Sequence, residues 1–304
     1  MCIVLTGISG FVGQNLASYL ESKGFQIYGL SMRSPDWKQN FLPNADAIIH
    51  LAGKAHDTSS TSQGEEYFQV NRDLTIALYD EFLTSDVKDF FYFSSVKAVK
   101  DSVDRQLTED ISPSPLTTYG KSKLAAENYI LSKVVPSGKR VFIIRPCMVH
   151  GPGNKGNLNL LYKIVEKNFP WPLGLYKNRR SFLSIDNLNF LISEMISKPH
   201  VESGIYNFAD DEALSTNELV RIIGKSLNKS IFLWNVPKLI IFIIAKIGDA
   251  LRLPLNSERL KKLTESYLVS NTKIKDVLGI NNLPLTAKEG LTITIKSFNH
   301  NAKT

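Results

Sequence analysis

The chain has little cysteine: Cys2 and Cys147 are the only two among 304 residues. That scarcity argues against a disulfide framework and agrees with a reducing, cytoplasmic location. Neither cysteine has a neighbour at metal-ligand spacing, so no metal site is expected. Long apolar runs are also missing. The strongest, Leu239 to Ile247, is interrupted by Lys246 and followed by Asp249, far short of the roughly 20 residues that a membrane span needs. It reads as a buried helix, with a helix lying on a membrane surface as the alternative. The opening MCIVLTGISG lacks a basic leader and a small-residue cleavage site and reads as a first strand. Net charge is +7, yet the lysines are scattered and no run of five basic residues occurs. Nucleic acid is therefore not an expected partner, whereas small anionic substrates are.

What is present is a repeated alternation of short apolar runs and helical patterns. Cys2 to Thr6 is a strand that runs into Gly7-Ile8-Ser9-Gly10-Phe11-Val12-Gly13. Apolar residues then recur at Val12, Leu16 and Leu20, a helical period that Gly24 closes as a C-cap would. Phe25 to Leu30 is a second strand. A strand, a glycine-rich turn, a helix and a strand make the context in which such a turn binds a dinucleotide. Glycine lets the backbone approach a pyrophosphate, which sits at the positive helix N-terminus. Strands are further expected at Ala47 to Leu51, Phe90 to Phe93 and Val141 to Ile144, and helices at Val70 to Leu83 and Tyr119 to Leu131. This order predicts an α/β fold, a doubly wound parallel sheet covered on both faces.

Tyr119 and Lys123 stand four residues apart, on one face of a helix. An ammonium beside a phenol lowers its pKa from about 10 and makes tyrosine a usable general acid or base. Tyrosine and lysine at this spacing also occur by chance. Ser95, just past a strand's carboxyl end where a substrate oxygen would sit, strengthens the pair, although a serine there is commonly a turn former.

These residues, Thr6-Gly7-x-x-Gly10-x-x-Gly13, His50-Leu51-Ala52-Gly53, Asn71, Ser94-Ser95 and Tyr119-x-x-x-Lys123, resemble the extended short-chain dehydrogenase/reductase superfamily. The likeness continues through Arg145-Pro146, His150-Gly151-Pro152-Gly153, Asn157, Arg180-Ser181-Phe182 and Asp186-Asn187-Leu188 to Tyr267 and Gly279. Within that superfamily the chain is most similar to UDP-sugar 4-epimerases and 4-keto-reductases of bacterial polysaccharide synthesis. The resemblance implies a Rossmann-like cofactor domain whose contacts fall on Gly7, Gly10, Phe11, Val12, Gly13, Leu51, Ala52, Gly53, Asn71, Tyr119, Lys123 and Pro146. It implies that Tyr119 exchanges a proton with the sugar's O4, that Ser95 bonds the same oxygen, and that Lys123 holds the nicotinamide ribose and depresses the tyrosine pKa. Arg180 would pair with the substrate diphosphate and Asn157 would bond the nucleotide sugar; a surface ion pair and a helix cap are the plain alternatives. A homodimer packed through the Tyr119 helix is also implied.

Three departures from the family pattern matter. Where NAD-preferring members carry an acidic residue after the second strand, this chain has Ser31-Met32-Arg33. Arg33 could pair with a 2′-phosphate, so NADP(H) is favoured over NAD(H); a surface arginine is the alternative. Ser34 to Asp46 is too short for a strand and a helix, so the third strand and its helix are expected to be trimmed. After Ser95 the usual aromatic residue is absent, with Val96-Lys97-Ala98-Val99-Lys100 in its place, and Lys97 reaches either substrate phosphates or solvent. Residues 1–150 are expected to form the cofactor domain and 151–304 a substrate lobe, with segments returning to the sheet. The expected activity is 4-keto reduction of a UDP-sugar, with 4-epimerisation as the runner-up and a non-catalytic dinucleotide sensor as a third reading.

Overall fold

The structure, a computed structural model, describes residues 1–54, 64–154, 157–251 and 255–301. The first half alternates strands and helices. Strand β1 (Cys2–Thr6), helix α1 (Phe11–Ser22), β2 (Gln26–Leu30) and β3 (Ala47–His50) are followed by α2 (Gly64–Phe68), α3 (Leu74–Thr84), β4 (Asp89–Phe93), α4 (Thr118–Ser132) and β5 (Arg140–Pro146). Next come β6 (Met148–His150), α5 (Asn157–Glu166), β7 (Phe182–Ser184), α6 (Ile185–Ser197), β8 (Gly204–Phe208) and α7 (Thr216–Ser226). The chain ends in α8 (Lys238–Leu251), α9 (Ser257–Thr264), α10 (Thr272–Leu278) and α11 (Ala287–Asn301).

Among the described residues, six parallel strands form one sheet in the order β2-β1-β3-β4-β5-β8. Alternate side chains point to opposite faces, and both faces are apolar. Ile3, Leu5, Ile49, Phe91, Phe93, Phe142 and Ile144 pack on one side with Leu16 and Leu20 of α1 and Leu188, Leu191 and Ile192 of α6. Val4, Ile48, Phe90, Tyr92, Val141 and Ile143 pack on the other with Leu78, Tyr79 and Phe82 of α3 and Ala126 and Ile130 of α4. This is the expected α/β Rossmann-like arrangement. A second apolar cluster gathers α5, α7, α8 and α11 around Trp171, Phe182 and Leu219, beside a two-stranded β6-β7 ladder.

The link from β2 to β3 passes to the opposite side of β1 and carries one 3-10 turn, Trp37–Asn40. The strand that would extend the sheet past β2 is absent among the described residues, as the short 34–46 stretch foretold, and β2 is the rim. Between β1 and β3 the direction of winding reverses. In open α/β sheets the crevice at the strand carboxyl ends beside such a reversal is where ligands bind.

The run from Leu239 is helical but not buried. Only Ile241, Ala245 and Gly248 of α8 are buried. No helix among the described residues is long and apolar enough to cross a membrane.

Candidate active site

The turn between β1 and α1 sits at that crevice. Gly7 has φ +71°, and a Cβ there would come within 2.7 Å of Ala52 N, so glycine lets the turn press on the chain leaving β3. A Cβ at Gly13 would stand 2.3 Å from Gly7 O, so the first turn of α1 lies directly against the loop. Gly10, the N-cap, differs: a Cβ there would meet only Gly7 O, at 3.3 Å. No side chain caps α1 and no acidic residue stands in its first turn. The loop thus presents an open glycine face and a positive helix end, which fits a dinucleotide pyrophosphate. Phe11 and Val12 are half-buried behind it against the core.

A chain of hydrogen bonds fastens this loop to its surroundings. Ala52 N donates to Thr6 Oγ1 (3.1 Å), which lies 2.7 Å from His50 Nδ1. His50 Nε2 meets Thr75 Oγ1 at 2.9 Å, and Thr75 donates to Asn71 O. Burial, with Lys123 nearby, pushes the His50 pKa down to about 3, so the ring is a neutral strut. Asn71 lies in a π-helical turn, Gln69–Asp73, between α2 and α3. Its side chain accepts from Lys54 N (2.7 Å) and donates to Lys54 O and Ser122 Oγ. It therefore holds the chain after Leu51-Ala52-Gly53 against α4. A Cβ at Gly53 would stand 2.9 Å from Asn71 Oδ1 and 3.1 Å from Lys123 Nζ, which places the lysine amine beside this strand end.

Helix α4 brings tyrosine to serine. Asp101 accepts from Leu116 N and Thr117 N, and Thr117 caps the helix through Gly120 N. A Cβ at Gly120 would be 2.3 Å from Lys97 O, so glycine lets α4 close on the turn that follows β4. Tyr119, in the first turn, lies near enough to Ser95 for that side chain to pull its pKa down, and packs edge-on against Tyr67. Ser95 Oγ also accepts from Lys97 N at 3.2 Å. Lys123 Nζ donates to Phe93 O (2.8 Å) and lies over the Tyr92 ring.

The electrostatics differ from the expectation that Lys123 depresses Tyr119. Burial raises the Tyr119 pKa above its ordinary 10, and the opposing influence is the neighbouring Ser95 side chain. Lys123 is itself lowered to about 8 by burial, against the pull of Glu127. At neutral pH the pair is a phenol and a predominantly protonated amine.

Glu127 is a residue that the sequence reading missed. It is fully buried and pairs with Arg145 of β5, while Ser94 donates to it. Tyr119, Lys123 and Glu127 recur every four residues on one face of α4, and that spacing was the available signal.

The other predicted residues are dispersed. Pro146 ends β5, half-buried. Arg33 is exposed in the turn after β2, with no hydrogen bond or ion pair among the described residues. Arg180 donates to Lys262 O and is held by backbone bonds with Leu214, and burial lowers its pKa. Its charge is felt at Lys97, two residues past Ser95. Lys97 does not point to solvent: it turns inward, donating to Asp101 O over the Tyr267 ring. Asn157 opens α5, and its side chain lies outside the described residues.

Comparison with known proteins agrees with this geometry. Residues 3–209 match the NAD dependent epimerase/dehydratase family. A UDP-glucose 4-epimerase of Vibrio cholerae is 30% identical, over 97% of this chain and 95% of its own. An N-acetyl-alpha-D-glucosaminyl-diphospho-ditrans,octacis-undecaprenol 4-epimerase of Escherichia coli O157:H7 is 26% identical, over 97% and 94%. Among solved structures, the protein RMD of Pseudomonas aeruginosa, complexed with NADPH, superposes with a TM-score of 0.76 at 21% identity, covering 98% of this chain and 99% of that one. The chain is an enzyme that belongs to the NAD dependent epimerase/dehydratase family.

Proposed function

We propose that the enzyme reduces the 4-keto group of a UDP-linked sugar with NADPH bound along the Gly7–Gly13 turn. The observation that carries this reading is the Tyr119 hydroxyl, brought beside Ser95 at the head of α4 and kept protonated by burial. When bound, the dinucleotide supplies the hydride for the sugar's C4. Tyr119 hands its proton to O4, Ser95 bonds that oxygen, and Lys123 holds the nicotinamide ribose. A phenol above its ordinary pKa keeps its proton at neutral pH until charge develops on the substrate oxygen, which suits reduction. Ser31 and Arg33 support NADPH, since no carboxylate there repels a 2′-phosphate. Arg180 pairs with the substrate diphosphate and Asn157 bonds the nucleotide sugar, residues 1–150 carry the cofactor and 151–304 the substrate, and two copies pair through α4.

Incubation with NADPH and a UDP-4-keto-6-deoxyhexose tests the reading, the expected result being loss of NADPH with formation of the 4-hydroxy sugar. Unchanged NADPH would sink it. Reversible 4-epimerisation is the second reading, favoured by the name of the Vibrio cholerae relative. It predicts a dinucleotide that co-purifies in stoichiometric amount and conversion of a UDP-hexose to its 4-epimer without added reductant.

A further inference from the structure

Helix α8 is apolar on nearly every side, yet its inward face is narrow. Ile241 and Ala245 enter the second apolar cluster, and Gly248 lies so close to Leu255 that a Cβ would be 1.8 Å from its carbonyl oxygen. The helix is thus firmly seated. Its outer face is Leu239, Ile240, Phe242, Ile243, Ile244 and Ile247, each between 42% and 70% exposed. At about 100° per residue these span more than half the circumference. Phe232 and Trp234, 67% and 48% exposed and edge-to-face at 6.5 Å, stand on the segment that leads into the helix. Apolar surface on this scale marks an interaction site.

Charge selects the occupant. Between residues 225 and 251 there are four lysines, 225, 229, 238 and 246, and one carboxylate, Asp249. Lys225, Lys238 and Lys246 are exposed, and Lys246 rises from the apolar arc itself, beside the Phe242 ring and 3.8 Å from Asp249, so that the stretch keeps a surplus of three positive charges. A long stem among apolar side chains with its ammonium at the edge is how lysine sits at a lipid headgroup. Tryptophan at the margin of an apolar face suits the same boundary. A two-fold copy laid on this surface would bring the same lysines face to face with little acid to meet them. At 14 residues, about 21 Å, the helix is too short to span a bilayer and long enough to lie in its interface.

We infer that the α8 face, with Phe232 and Trp234, docks the enzyme on an anionic phospholipid surface. The docking is independent of which sugar reaction the active site performs, and none of these residues belongs to that site.

Flotation of the purified full chain tests this, with vesicles of phosphatidylcholine and phosphatidylglycerol compared with phosphatidylcholine alone. The wild type is expected to float with the anionic vesicles, with a blue shift of tryptophan emission. A lysine near such a surface is worth about fivefold in partitioning, so Lys238→Gln with Lys246→Gln lowers binding about 25-fold. Ile243→Glu with Ile247→Glu abolishes flotation while leaving solution activity and unfolding temperature unchanged. Failure of the wild type to float with anionic vesicles overturns the inference. So does a wild-type dimer in solution that the paired glutamates split, because that assigns the face to a second copy.

Discussion

Replacing Lys123 by methionine should make the protein more stable and less active. The drop of the buried amine from 10.5 to about 8 means that its charged form costs about 3 kcal/mol relative to the neutral one. Methionine has similar length and no charge, so that cost disappears. Glu127 keeps its pair with Arg145. What is lost is the bond to Phe93 O, worth about 1 kcal/mol. The net gain at pH 7 is about 2 kcal/mol, a rise of roughly 4 °C in Tm for a chain of this size.

The sign of the pH dependence follows from linkage. Between pH 8 and 10.5 the unfolded lysine binds a proton that the folded one has released, so wild-type stability rises with pH. The methionine variant lacks this contribution. Its advantage should shrink to roughly zero by about pH 10, where the folded amine is neutral and still donates its hydrogen bond. Thermal unfolding at pH 7 and pH 10, without added dinucleotide, measures both limits. A variant less stable than wild type at pH 7, or a gap that does not change with pH, refutes the reasoning.

The other substitutions probe separate parts of the site. Tyr119→Phe should lower kcat by about 10²- to 10⁴-fold while dinucleotide affinity stays within a few-fold; unchanged turnover removes the phenol from the mechanism. Arg33→Ala should raise the KM for NADPH by roughly 10- to 100-fold, the worth of a charged hydrogen bond, and leave that for NADH unaltered. Equal effects on the two coenzymes would show that Arg33 is a surface cation only. Glu127→Gln strands a buried guanidinium and should cost about 3–5 kcal/mol in denaturant unfolding, with much of the loss recovered by adding Arg145→Met. Gly120→Ala pushes α4 away from Lys97 O; turnover and unfolding stability should both fall, the latter by about 1–3 kcal/mol of overpacking, and a fully active variant of unchanged stability would show that the close approach is dispensable.

The sheet was legible because its strands are short runs apolar on both faces, and the glycine turn because of what precedes and follows it. The expected bounds for α4, Tyr119 to Leu131, differ by one residue at each end from Thr118–Ser132. The helix expected from Val70 begins instead as a π-turn that carries Asn71, and only from Leu74 is it an α-helix. Apolar periodicity averages over several turns and does not register one local change of hydrogen-bond spacing. Glu127 escaped notice because its four-residue spacing from Lys123 marks a helix face and not burial, and the cation that accounts for its burial, Arg145, comes from a strand 18 residues later. The apolar run at Leu239 misled in another way. Composition says that a segment prefers to leave water, not what will cover it, and the structure leaves most of α8 uncovered.

The curtailed link after β2 bears on how long a coenzyme stays. With β2 at the rim and one short 3-10 turn between Ser31 and Asp46, the adenosine half of a bound dinucleotide would lie at the margin of the sheet. Little chain has to be displaced before that half departs, so a short residence time is expected. An epimerase keeps one coenzyme through many cycles, whereas a reductase must discard its oxidised coenzyme in each. Where chemistry is fast, that departure sets a reductase's turnover rate, so under the proposed reduction a longer link would slow the enzyme by making it hold its coenzyme too well, whereas under epimerisation it would not.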